Sequence, residues 1–148
     1  MAGPGISDYR NPKTRFPGSG GANDLASLCW RTMVVTPQND KRFVEKPDFL
    51  TTPGYLQGGT SRVDSGLPKD TGPYRVITDI GVYGYHPETK EMMIISLHPG
   101  KTIEDVKANS SFNILIPEKY DMTTEPTDEE LKILREKVDP TRVIIGRG

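Results

Sequence analysis

The stretch YRVITDIGVYGY (74–85), the turn-forming HPETK and then EMMIISLH (91–98) constrain this chain more than any other feature. Both arms are rich in β-branched and aromatic residues, which suit a pleated surface, and the proline and polar residues between them suit a turn. The pair predicts an antiparallel hairpin. A sheet built on it must bury a face, and the flanking segments supply helices. TIEDVKAN (102–109) opens with Thr102-x-x-Asp105, the spacing of a reciprocal N-terminal cap, and Ile103 and Val106 give it an apolar side. TDEELKILREKV (127–138) repeats the device as Thr127-x-x-Glu130 and sets Leu131, Leu134 and Val138 on one stripe. Asp128, Glu129 and Glu130 stand at the positive end of that helix, and Arg135 and Lys137 lie towards its negative end.

Upstream, Leu25, Leu28 and Cys29 recur at helical spacing from Ala22 to Cys29, with Asn23 or Asp24 able to cap the start. RTMVVT (31–36) and KRFVEK (41–46) read as strands around the turn-forming PQND, and FNILI (112–116) reads as a further short strand. Strands interleaved with helices predict an α/β fold. Between them lie an extended leader at 1–14, a glycine-rich loop running into the first helix over 15–29, and a long loop at 48–73. Long ordered loops in compact domains are often functional.

A chain of 148 residues is one domain or a piece of a larger one, and at this size it buries roughly 68–70% of the surface its unfolded form exposes. Nineteen basic against twenty acidic side chains leave a net charge of -1, so no field draws in nucleic acid or an anionic membrane. No apolar run approaches the roughly 20 residues that span a bilayer, and MAGPGISDYRNPK lacks the apolar stretch of a secretory signal. A single cysteine excludes an intrachain disulfide and any multi-cysteine metal site. These features predict a soluble, cytoplasmic protein.

Chemistry-bearing residues are few. Gly18-Ser19-Gly20-Gly21-Ala22 leads directly into a helix, where free N–H groups and positive potential suit a phosphate or a developing oxyanion. The same residues also suit a tight turn, and they match neither the Walker nor the Rossmann spacing. From the residues alone both readings stand. His86 and His98 are isolated, short of the three or four ligands that zinc needs, and read as structural. Cys29, on the apolar side of a helix beside Trp30, reads as a buried, inert thiol. Tyr55, Tyr74, Tyr83 and Tyr85 read as packing and loop anchors.

Five segments in order carry a resemblance: NPKTRFPGSGGANDLAS, RFVEKPDFLTTPGYL, GPYRVITDIGVYGY, MMIISLHPGKTIEDVKANSSFNILIP and TTEPTDEELKILREKVDP. Together, from roughly Ile6 to Pro140, they resemble the second (beta) subunit of family I coenzyme A transferases, in the glutaconate-type branch. The resemblance implies an open mixed sheet with flanking helices, of the CoA-transferase and ribose-5-phosphate isomerase type. It implies a hetero-oligomer that moves CoA from an acyl-CoA to a free carboxylate through a glutamate nucleophile, with the thioester as substrate and no further cofactor. The glycine-rich segment of the family's active-site region carries over to Gly18, Ser19, Gly20, Gly21 and Ala22, and at its margin to Asn23 and Asp24. The family's nucleophile lies in a Ser-Glu-Asn-Gly-like segment upstream of that loop, and no glutamate here is followed by Asn-Gly, so no catalytic residue is assigned. The expectation is the C-terminal portion of this second subunit across 1–148, lacking the N-terminal strands and inactive alone. Its partners would be an alpha-type subunit and the missing N-terminal beta segment. Two alternatives remain: a component of a related CoA-thioester decarboxylase or hydrolase, and a non-catalytic truncated remnant.

Overall fold

Five strands form one mixed sheet in the order β1–β2–β3–β4–β5. The structure is a computed structural model that describes residues 18–47, 50–144 and 146. The leader at 1–14 and the start of the glycine-rich loop at 15–17 lie outside the described residues. Helix α1 (Gly20–Leu28) precedes β1 (Arg31–Val35), and a short α2 (Ser61–Asp64) sits within the long loop. Next come β2 (Gly72–Ile77), β3 (Gly81–Tyr85), β4 (Met92–Leu97), α3 (Ile103–Ala108) and β5 (Asp121–Met122). Helix α4 (Asp128–Ile133) continues into a π-helical turn (Leu134–Val138).

β1 pairs with β2 in parallel, so the chain crosses over through residues 36–71 before the two strands meet. β2, β3 and β4 run antiparallel in succession, and β5 adds to β4 in parallel. The expected hairpin is β3–β4, with the 86–90 turn in place. The first arm, however, is two strands. Thr78 breaks it: its Oγ1 accepts from the N–H groups of Ile80 and Gly81, both at 3.0 Å, and reverses the chain. At Gly81 the strands are so close that a Cβ would stand 2.5 Å from the carbonyl oxygen of Ser96.

The core lies around β3 and β4. Cross-strand neighbours Tyr83 and Ile94 are 0% and 1% exposed, and Leu97, Val76 and Ile80 pack with Phe43, Val106 and Ile114. Val106 and the partly buried Ile103 bring α3 onto this cluster, as their spacing predicts. Both capping boxes form. Thr102 Oγ1 accepts from the Asp105 N–H while the Asp105 carboxylate accepts from the Thr102 N–H at 2.8 Å, and Thr127 and Glu130 do the same.

Several expected features differ. KRFVEK is a turn rather than a strand: Asn39 Oδ1 accepts from the N–H groups of Lys41 and Arg42, folding the backbone and dropping Phe43 into the core. FNILI contributes only a parallel bridge from Leu115 to Met93. The Leu115 N–H donates to Met92 and its carbonyl accepts from Ile94, but the next donor in that ladder would be Pro117, which has no N–H to give. α1 begins two residues early, at Gly20, with Ser19 rather than Asn23 or Asp24 at its N-cap position. No residue of the last helix is buried: Leu131 and Leu134 on the expected stripe are half-buried and Val138 is exposed.

Candidate functional site

The glycine run opens α1 without local stabilisation. Ser19 makes no side-chain cap, and the helix starts with the Asn23 N–H donating to the Ser19 carbonyl at 2.7 Å. The amides of Gly20, Gly21 and Ala22 therefore precede the first intrahelical bond, at the positive end of the helix. Gly18, Gly20, Gly21, Ala22, Asn23 and Asp24 are exposed and Ser19 is half-buried. A Cβ built on Gly18, Gly20 or Gly21 would meet nothing within 4 Å. None of the three shows the left-handed backbone that reserves a position for glycine. Neither packing nor turn geometry within the described chain accounts for glycine there. The Asn23 side chain is engaged: Nδ2 donates to the Thr51 carbonyl at 2.9 Å, tying the helix to the long loop.

The long loop is built, not slack. Tyr55 donates to the Pro73 carbonyl at 2.8 Å, and Ser61 Oγ donates to the Tyr55 carbonyl at 2.9 Å. Gly58, at a φ of +84°, lies so close to the next turn that a Cβ would fall 2.5 Å from the Thr89 carbonyl oxygen. Inside the loop, Arg62 is 3% exposed, and nothing in its sequence neighbourhood marks it as buried. Beside the loop runs a groove of about 450 Å³, lined by Tyr55, Tyr85, Lys90, Glu91, Met92 and Phe112 among others, and by none of residues 18–24. Burial pushes the Tyr85 phenol up to about 12; Tyr55 is also raised by burial, partly offset by Arg62, so both are neutral hydroxyls at physiological pH. The Tyr55 and Tyr85 rings meet edge-to-face, with centroids 5.0 Å apart, on this wall of the groove.

The remaining candidates have structural partners. His86 Nδ1 accepts from the N–H groups of Glu88 and Thr89 and shapes the hairpin turn. His98 Nε2 lies 2.9 Å from the Thr78 carbonyl and so donates to it, and Nδ1 lies 3.0 Å from Thr123 Oγ1. Tyr83 donates to Gln38 Oε1 at 2.6 Å within the core. Cys29 is half-buried at the C-cap of α1. Among the described residues no group of three or more His, Cys, Asp or Glu could hold a metal ion, and no helix is long and apolar enough to cross a membrane.

One face differs from the rest. Leu28, Trp30 and Val35 are 69%, 71% and 78% exposed, and Leu25, Met33 and Val34 are exposed beside them, along α1 and the edge strand β1. The expected apolar side of α1 thus exists but buries no residue of the helix among the described residues.

Comparison with known proteins places these features. The family model described as Coenzyme A transferase matches residues 1–109. The B-type subunit of glutaconate CoA-transferase from Acidaminococcus fermentans is 36% identical over 140 residues, covering 95% of this chain and 52% of that protein. The B-type subunit of 3-oxoadipate CoA-transferase from Pseudomonas knackmussii is 38% identical over 130 residues, covering 88% and 50%. The crystal structure of the A. fermentans glutaconate coenzyme A-transferase superposes with a TM-score of 0.83 over 97% of this chain and 54% of that one. Rhodococcus jostii IpdAB superposes at 0.73 with 27% identity, over 93% and 54%. The chain spans about half the length of the curated relatives it matches.

Proposed function

The chain belongs to the coenzyme A transferase family, and from that membership we propose that it is one component of a heteromeric CoA-transferase. The complex moves CoA between an acyl-CoA thioester and a carboxylic acid. Gly18, Ser19, Gly20, Gly21 and Ala22, with Asn23 and Asp24 at the flank, lie against the CoA thioester. The thioester is the substrate, and no separate cofactor takes part. The glutamate that attacks it lies outside residues 1–148, because no glutamate here sits in the family's Glu-Asn-Gly setting. The observation that carries this reading is the set of three exposed glycines at the mouth of α1, which no contact within the described chain requires. A backbone without side chains lets a thioester oxygen or phosphate come within hydrogen-bond range of free amides.

The partners are an alpha-type subunit and polypeptide equivalent to the remaining half of the relatives. The latter covers the apolar residues of α1 and pairs with the edge that β1 presents among the described residues. Unpaired edges and contiguous exposed apolar surface are features that folded proteins cover. On this reading the chain alone does not turn over, and the assembled complex works in the cytoplasm.

The test is reconstitution. The chain is co-expressed with both partners, and the complex is given acetyl-CoA or succinyl-CoA with glutaconate or 3-oxoadipate, acids named by its relatives. A new acid–CoA thioester in the mass spectrum supports the transferase. Free CoA alone, or loss of carbon dioxide, replaces it with the related hydrolase or decarboxylase, and no turnover leaves a non-catalytic remnant. Gly20→Val in the complex should lower turnover about 100-fold, the cost of displacing a positioned group by about 1 Å, with assembly intact. Wild-type turnover in that variant removes the glycine run from the site.

A further inference from the structure

No side chain of α1 is fully buried among the described residues, and only Ala26 and Ser27 are half-buried, so apolar packing gives it a weak hold. Near its start the Asn23 side chain holds it to the Thr51 carbonyl, and at its C-terminal end it has a wider grip. Arg62 Nη2 donates to the carbonyls of Ala26 and Ser27 at 2.9 and 3.1 Å. On the other side, Nη1 donates to the carbonyls of Pro53 and Gly54 at 3.3 and 3.0 Å. Nε and Nη2 both reach Thr71 Oγ1, at 3.3 and 3.1 Å, and that hydroxyl turns its own proton to the Pro68 carbonyl. Every acceptor in this set is a neutral oxygen, so the cation is balanced by aligned dipoles, among them the negative end of α1. Gly72 opens the passage: with a φ of +130°, its absent Cβ would stand 3.2 Å from both Arg62 Nε and Tyr55.

We propose that Arg62 is a positioning residue for the glycine run: it fixes the far end of α1 against both stems of the long loop and so aims the free amides at the other end. This rests on the reading that those amides meet the thioester. The lever is sensitive. A nine-residue helix is about 13 Å long, so a tilt of about 5° moves its Gly20 end by roughly 1 Å, a displacement worth about 100-fold in a positioned reaction. The planar fork matters as much as the charge. A lysine ammonium offers three donors from one point and cannot span two loop stems and a helix end together.

Hydrogen exchange on the full chain and turnover by the reconstituted complex test this together, in Arg62→Ala and Arg62→Lys. Both variants should speed exchange of the hydrogen-bonded amides at 23–28 by about tenfold or more while β3 and β4 keep their protection. Both should lower turnover, and guanidinium chloride at low millimolar concentration should restore Arg62→Ala where methylammonium does not. Unchanged exchange in α1 overturns the proposal. So does equal loss of protection in β3 and β4 in both variants, which makes Arg62 a general stabiliser. If α1 loosens and turnover holds while Gly20→Val abolishes it, positioning by Arg62 is wrong and the glycine reading stands. If turnover survives both Arg62→Ala and Gly20→Val, the glycine reading itself is what fails.

Discussion

The two ends of the sheet answer to different surroundings. Around β3, β4 and α3, each residue's identity follows from a neighbour in the same chain: Tyr83 faces Ile94, Gly81 admits the Ser96 carbonyl, and Thr102 is capped by Asp105. Along α1 and β1 the same kinds of residue have no such partner among the described residues. Leu28 and Val35 are apolar and exposed, the glycines at the helix mouth leave open space, and Ser19 caps nothing. On the proposed function, residues that the described chain's own contacts do not explain are the ones a substrate or another polypeptide selects. The contrast separates what makes this chain fold from what makes it useful.

Paired substitutions can break that contrast. Ile94→Ala should cost about 2–5 kcal/mol in denaturant melts of the chain, whereas Val35→Ala should fall within about 0.5 kcal/mol and instead weaken capture of the partner half in a pull-down. Equal costs would mean that β1 is packed as a core strand. Gly81→Ala should cost about 1–3 kcal/mol, because strand backbones must separate to admit the methyl. Gly21→Ala should hold or raise stability by up to about 1 kcal/mol. Similar losses in both would show that the glycine run is a folding requirement.

A smaller effect is expected from acid. The Gln38 N–H donates to the Asp79 carboxylate at 2.7 Å and, against a lesser desolvation, holds its pKa below the usual value. Because the folded value is the lower one, this stabilisation is complete above about pH 4 and is lost as the pH falls through the folded pKa. Asp79→Asn should flatten the acid limb of the stability profile at the core end without altering exchange in α1. An unchanged acid limb would remove Asp79 from the linkage.

What the sequence made legible was local. The two capping boxes and the β3–β4 hairpin are set by residues three to a few positions apart, and both stand where their spacing puts them. The features missed depend on distant partners or on polar residues hidden in apolar runs. Thr78 turns the chain within a stretch that otherwise alternates as one strand. Phe43 lies in a strand-like hexapeptide whose turn is made by Asn39, and Arg62 draws on Ala26 and Ser27, more than thirty positions away. Of the candidate site, the glycines could be read directly. Their mechanical support could not, since no periodicity records an arginine turned inward.

The crossover at 36–71 has a consequence for the order of events. The hairpin of β3 and β4 closes over a few residues, but pairing β1 with β2 must first close a loop of more than thirty, at greater entropic cost and with little buried surface in return. The core end is therefore expected to form first, with β1 and α1 joining last and opening earliest, which amide exchange would show as lower protection at 23–35 than at 81–97. On that order, the core is complete before the edge strand is in place. If the proposed partner engages at that stage, it has no finished contact to undo there.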